Sequence, residues 1–286
     1  MVLVNNETIY QEIPYMNAHS ENHPIITVTD LTKSFDAFKA VDHISFEVKK
    51  GEIFAFLGPN GAGKTTTIRM LTTLLDPNSG SIRVNGHDPA HDKDAVRKSF
   101  GIVFQDHSLD DDLTTLENMQ FHAVLYKVPA PTRNTRIEDL LQFVQLWDRR
   151  NDLVKTFSGG MKRRLEIARG LIHHPTILYL DEPTLGLDPQ TRNHMWNYIK
   201  DKNKQENMTV FFTTHYMEEA EKIAHRIAII DHGKIVAMGT AAELEKQTHT
   251  KTLEEAFLSM TGNTIRQQEA SGIDHLRSMR KMWRRR

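Results

Sequence analysis

Apolar positions fall into two kinds of run along this chain, and the difference predicts how each element is covered. Ile25-Ile26-Thr27-Val28, Ile44-Ser45-Phe46-Glu47-Val48 and Ser81-Ile82-Arg83-Val84 alternate with polar residues, the pattern of half-exposed antiparallel strands. Ile53-Phe54-Ala55-Phe56-Leu57, Ile102-Val103-Phe104, Ile177-Leu178-Tyr179-Leu180 and Val210-Phe211-Phe212-Thr213 do not alternate, as expected of parallel strands covered on both faces. The predicted core is therefore α/β, with a β-rich part beside it. Between about 106 and 170 the spacing turns helical, through Leu140-Leu141, Val144, Leu146 and then Leu165, Ile167, Leu171, so a helical insertion is expected to split the sheet. Ile227-Ala228-Ile229-Ile230, a turn at Asp231-His232-Gly233 and Lys234-Ile235-Val236-Ala237-Met238 predict a hairpin that closes the main domain. Residues 251–261 read as one short helix.

Chemistry enters where the apolar run 53–57 meets the helical run from Thr66 to Leu75. Between them lies Gly58-Pro59-Asn60-Gly61-Ala62-Gly63-Lys64-Thr65, a phosphate-binding loop in the strand-to-helix context the motif requires. Glycines let the backbone curve so that successive N–H groups point inward, where side chains would block the approach. Lys64 can reach the β- and γ-phosphates, the Thr65 hydroxyl can ligate Mg²⁺, Thr66 continues the helix, and the helix N-terminus aims its partial positive charge at the anion. Such a motif arises by chance in about one chain in a hundred, so the rest of the chain has to support it.

Composition narrows the classes. At 286 residues the chain can bury a sizeable core. With 36 Lys and Arg against 37 Asp and Glu, a formal charge of −1 gives no overall electrostatic footprint for nucleic acid, and no such partner is expected. There are no cysteines, which excludes disulfides, thiolate metal sites and thiol catalysis. Asn5, Asn6, Glu7 and Gln11 break up the apolar residues of a flexible lead-in, 1–24, so no secretion signal is expected. No window approaches the ~18–20 apolar residues that span a bilayer, so a membrane role needs a partner that does the spanning.

Ile177–Leu180 leads into Asp181-Glu182, two carboxylates at the C-terminal end of a buried strand, where ligands of open α/β sheets collect. Asp181 suits Mg²⁺, directly or through water, and Glu182 suits orienting and deprotonating the water that attacks the γ-phosphorus. The competing reading is a helix start whose first turn carries acids before Pro183. Ser158-Gly159-Gly160 opens a second glycine-containing helix, with Ser158 as N-cap, and offers a second phosphate site. His87, Asp88, His91 and Asp92 flank Pro89 in a loop and are read as solvent-facing rather than metal-binding. His173-His174 is assigned to solvent or capping.

With Phe157-Ser158-Gly159-Gly160-Met161 standing where Leu-Ser-Gly-Gly-Gln would, the sequence resembles the ATP-binding cassette (ABC) ATPases over residues 25–240. Gln105 is similar to the Q-loop, Leu185-Gly186-Leu187-Asp188 to the D-loop, His215 to the switch histidine, and Phe35 to the aromatic that stacks on adenine. The resemblance implies a P-loop NTPase cassette: a RecA-like core, an antiparallel β subdomain and a helical subdomain at about 106–170, followed by an extension, 241–286. It also implies ATP and Mg²⁺ as ligands, with Lys64, Thr65, Gln105, Asp181, Glu182 and His215 acting in cis. Ser158, Gly159 and Gly160 would act on ATP held by a second cassette. Met161 and Phe157 depart from the usual signature without removing the serine hydroxyl or the backbone donors.

Two functional classes follow. The first is the ATPase subunit of a transporter at the cytoplasmic face of a membrane, receiving a short helix of its membrane partner on the helical insertion after Gln105, including Leu109 to Met119. The second is a soluble clamp acting on ribosomes or nucleic acid. The runs Gln105-Asp106…Glu117-Asn118 and Thr252–Leu258…Thr261-Gly262 resemble the drug-resistance and nodulation-type exporters, which favours export. Ile273, Leu276, Met279 and Trp283 beside Arg277, Arg280, Lys281, Arg284, Arg285 and Arg286 suggest a basic tail that can lie on anionic lipid.

Overall fold

A computed structural model describes residues 24–262. The lead-in up to 23 and the basic tail fall outside the described residues. In chain order the strands are β1 (Pro24–Phe35), β2 (Phe38–Lys49), β3 (Ile53–Leu57), β4 (Ser79–Val84), β5 (Phe100–Val103), β6 (Ile177–Asp181), β7 (Thr209–Thr214), β8 (Arg226–Asp231) and β9 (Lys234–Gly239). The helices are α1 (Lys64–Leu71), α2 (Lys93–Ser99), α3 (Thr115–Leu125), α4 (Ala130–Phe143), α5 (Gly159–Gly170), α6 (Pro189–Glu206), α7 (Met217–Ile223), α8 (Ala241–Thr248) and α9 (Leu253–Thr261).

The two kinds of apolar run become two sheets. The alternating segments pair antiparallel in the order β2-β1-β4, and the continuous ones form a six-stranded sheet, β5-β6-β7-β3-β8-β9, parallel except for β9. Absence of alternation has a direct cause: successive residues of one strand feed two different cores. Ile53, Ala55 and Leu57 of β3 join Leu178, Leu180, Val210 and Phe212 on one face, against the helices. Phe54 and Phe56 join Tyr179 and Phe211 on the other, against the three-stranded sheet. There Phe46, from β2, stacks on Phe54 with centroids 5.7 Å apart and meets Phe211 at 6.0 Å, locking one sheet onto the other.

Several expectations change. The helical insertion interrupts the chain but not the sheet: β5 and β6, which flank it, are hydrogen-bonded neighbours, with Val103 opposite Leu180. The insertion returns to its starting point because α5 packs tightly on β5, where a Cβ on Gly101 would lie 2.0 Å from the Gly170 carbonyl oxygen. α1 ends at Leu71 rather than Leu75, since the Thr72 hydroxyl donates to Ile68 O at 2.8 Å and Thr73 turns left-handed at φ 64. His174 is exposed, whereas His173 is half-buried: it stacks on Tyr126, centroids 3.9 Å apart, with Nε2 2.9 Å from the carbonyl oxygen of Phe100, the C-cap of α2. Burial pushes its pKa down to about 4. The predicted hairpin forms as β8 and β9, and Leu244, Leu253 and Phe257 of α8 and α9 join the helix-side core.

Candidate active site

Parallel strands bring their C-terminal ends to one edge, and this edge collects the predicted chemistry. Leu57 pairs with Thr214 and Asp181 with Thr213, so the phosphate loop after β3, Glu182 after β6 and His215 after β7 emerge side by side. Gln105 follows two residues beyond β5 on the same edge; its side chain is exposed.

The loop 58–63 is shaped for an anion. Gly63 holds φ 105, and a Cβ there would lie 2.4 Å from Ala40 O. It caps α1 with no side-chain hydrogen bond, leaving the helix N-terminus open to a ligand's oxygens. Lys64 is buried, its Nζ donating to Gly58 O at 2.7 Å and Pro59 O at 3.1 Å and lying 3.3 Å from Glu182 Oε1. Burial lowers its pKa, and the Glu182 carboxylate opposes that shift. Thr65 is half-buried at the start of α1 and Thr66 is buried behind it.

Asp181 is fully buried. Thr213 Oγ1 donates to its Oδ1 at 2.6 Å, while Oδ2 has no donor. Burial raises its pKa, and the Thr213 and Thr65 hydroxyls act against that rise. A buried carboxylate oxygen without a donor, beside a threonine hydroxyl, is an oxygen-donor set that fits a hard divalent cation.

Glu182 stands at φ 48, in the left-handed region. Its N–H donates to Thr213 Oγ1 at 3.0 Å and Thr213 O at 3.2 Å, and Arg163 of α5 donates to its carbonyl at 2.7 Å. His215 Nδ1 lies 3.3 Å from Glu182 Oε2 but off the hydrogen-bonding direction, an electrostatic neighbour only. Its ring lies against Tyr216, centroids 4.0 Å apart.

The structure thus brings together Lys64, Thr65, Asp181, Glu182 and His215. It does not bring in the second phosphate site. Ser158 is exposed and caps α5, accepting from Met161 N at 3.3 Å, and the backbone nearest Gly160 is that of Gly186, in the loop leading to α6. Phe35 lies half-buried at the end of β1, with Lys33 Nζ 5.6 Å from its ring centroid. Sequence reasoning missed Thr213 as the residue that holds both carboxylate-bearing positions, and missed Arg163. Thr213 carries only a weak signal, being one of three threonines in β7. Arg163 carries none, being one of three consecutive basic residues.

Comparison with known proteins agrees with this geometry. A family profile described as ABC transporter matches residues 41–185. The daunorubicin/doxorubicin resistance ATP-binding protein DrrA of Streptomyces peucetius is 42% identical over 228 residues, covering 80% of this chain and 69% of that protein. The Nod factor export ATP-binding protein I of Ralstonia nicotianae is 41% identical over 221 residues, covering 77% and 68%. Among solved structures, the ATP-binding cassette MJ0796, captured as a dimer in a post-hydrolysis state with ADP and Pi, superposes with a TM-score of 0.70 at 26% identity, covering 75% of this chain and 98% of that one. With a phosphate loop, two strand-end carboxylates and a facing histidine on one sheet edge, the chain belongs to the ABC transporter family, as an ATP-binding and ATP-hydrolysing subunit.

Proposed function

We propose that this chain powers an exporter from the cytoplasmic face of a membrane, pairing with a second cassette and driving a separate membrane-spanning subunit. The observation that carries the chemistry is the meeting of Lys64 and Glu182 at the open N-terminus of α1, 3.3 Å apart. Residues 25–240 form the ATPase unit and 241–286 an extension from it. The loop 58–63 and Lys64 bind the β- and γ-phosphates, and Phe35 stacks on adenine. Thr65, Asp181 and Gln105 would hold Mg²⁺, which would neutralise charge developing on the phosphates. Lys64 leaves Glu182 for the phosphates as ATP binds, which frees the Glu182 carboxylate to take the proton of the attacking water. His215, already beside Glu182, donates to the γ-phosphate and registers its loss. Ser158, Gly159 and Gly160 serve the ATP of the opposite cassette; the exposure of Ser158 and Gly159 supports a site completed in trans.

Relatives named for drug resistance and for export support the exporter direction. No described helix is long and apolar enough to cross a membrane, which fits a subunit whose partner does the spanning. Within the helical insertion, α3 offers the receiving surface. Met119 is fully buried, whereas Phe121, Val124 and Leu125 stand exposed one turn further along α3, an apolar face at i, i+3 and i+4. Leu74 is exposed too, and its neighbour Thr73 is tied by Arg97, whose charge also reaches Tyr126 at the end of α3.

The test is affinity purification of Glu182→Gln from membranes in mild detergent with ATP and Mg²⁺. A stoichiometric multi-span membrane protein is expected, with hydrolysis slowed at least about a hundredfold and ATP binding retained. Ribosomes or DNA without a membrane protein would replace this reading with the soluble clamp.

A further inference from the structure

Arg163 lies on the second turn of the signature helix α5, yet its guanidinium is turned away from the signature and into the protein. It is 3% exposed. Its Nη2 donates to Asp181 O and Glu182 O, both at 2.7 Å, and its Nε to Pro183 O at 2.9 Å. Nη1 donates to Phe104 O, the residue before Gln105. One side chain therefore holds three consecutive carbonyls across the putting-together point of both carboxylates and a fourth at the Q-loop. Glu166, one turn on and 1% exposed, lies 3.6 Å from Nη1 and accepts from Ser108 N at 2.7 Å.

The backbone so held is the one that needs holding. Glu182 is left-handed at φ 48, a conformation that costs a non-glycine residue and persists only where neighbours over-determine it. Thr213 grips its N–H side from β7, and Arg163 grips its carbonyl side from α5. Removing the second grip frees the peptide that aims the carboxylate at the attacking water.

We propose that Arg163 is a positioning residue for hydrolysis: it fixes the Asp181–Pro183 backbone so that the Glu182 carboxylate is aligned, and thereby joins the base of one ATP site to the helix whose N-terminus serves the other. Glu166 balances its charge and ties the same unit to the segment after Gln105. A shift of α5 on engaging the opposite nucleotide is passed to the local base through this guanidinium, so each site readies the other. The inference rests on Glu182 being the base.

The test compares full-length R163M, R163K and R163M/E166Q with wild type and E182Q, reading single-turnover ATP hydrolysis, ATP affinity, ATP-dependent dimerisation and thermal stability. R163M is expected to slow hydrolysis roughly a hundredfold, the scale of a misaligned reacting group, while ATP affinity and dimerisation hold. R163K keeps the charge without the planar fork and recovers part of the rate. R163M/E166Q removes the buried carboxylate that has lost its guanidinium partner, recovers part of the stability lost in R163M, and stays slow; it also carries the test should R163M alone fail to fold. Recovery of rate together with stability in the double variant would overturn the proposal, making Arg163 a counter-ion only. Loss of dimerisation in step with rate would overturn it too, since the signature helix itself would then have failed. E182Q turning over at the wild-type rate would remove the base and this inference with it, whereas a fast R163M beside a slow E182Q removes the inference alone.

Discussion

Asp181 shows how this site sets function against stability. Burial holds its carboxyl above the ordinary carboxylate range, so the folded chain keeps a proton at pH values where the unfolded chain has released it. Its contribution is therefore favourable below the unfolded pKa and is lost as pH rises through the folded one; at neutral pH the charge is carried at a cost. Asp181→Asn keeps an acceptor for Thr213 Oγ1 and removes the charge. In thermal melts without nucleotide it should unfold no lower than wild type and show a flatter loss of stability with rising pH, while ATP hydrolysis collapses. A lower melting temperature for the variant at mildly alkaline pH would mean that the carboxylate is net stabilising. The identities of Lys64, Asp181, Glu182 and His215 were legible in the sequence because motif spacing fixes them. The left-handed backbone of Glu182 was not, because nothing in Leu180-Asp181-Glu182-Pro183 encodes a φ that Thr213 and Arg163 impose from other elements.

Elements followed the apolar pattern where one core dictated it and departed where two elements competed. α3 illustrates both. Its start is local: Thr114 accepts from Glu117 N at 3.2 Å and Glu117 Oε2 accepts from Thr114 N at 2.7 Å, a reciprocal cap readable from the sequence. Its exposed face is not local, since Met119 and Phe121 are equally apolar and only packing against α4 and α5 decides that Met119 goes inside. Phe121→Ser with Leu125→Ser removes that face. Both side chains are exposed, so stability should change by no more than about 0.5 kcal/mol and ATP hydrolysis by the isolated chain should persist. Co-purification with the membrane subunit should be lost; retention of the subunit would place the docking surface elsewhere. His122 shows the same tertiary control: lying 4.7 Å from Tyr126 at the end of this helix, it is pushed by burial to a pKa of about 3, which its sequence position does not announce.

For the whole molecule the decisive feature is that, among the described residues, no hydrogen bond or ion pair joins the signature, 158–160, to the phosphate loop of the same chain. If each ATP is completed by the opposite cassette, two defective chains should repair one another. Lys64→Ala destroys the phosphate loop and Ser158→Arg blocks the signature, so each alone should be inactive. Their mixture contains dimers with one intact phosphate loop facing one intact signature, and ATP hydrolysis should return at a fraction of the wild-type rate. A mixture as inactive as its components would show that both elements serve the same chain's nucleotide, or that the natural pair is made with a different cassette.

The sequence by itself determined the fold class and the inventory of chemistry: alternating runs marked the strands of the antiparallel sheet, continuous runs those of the parallel one, and glycine spacing the phosphate loop, because each pattern is written in residues a few positions apart. Tertiary structure alone decided what those residues do to one another. Strand order brought β5 back beside β6 across the helical insertion, parallel pairing brought Lys64, Glu182 and His215 to one edge, and the burial of Arg163 tied the signature helix to the base. These relations join residues far apart in the chain, and they are set by which surfaces can be buried together, a property that no local pattern carries.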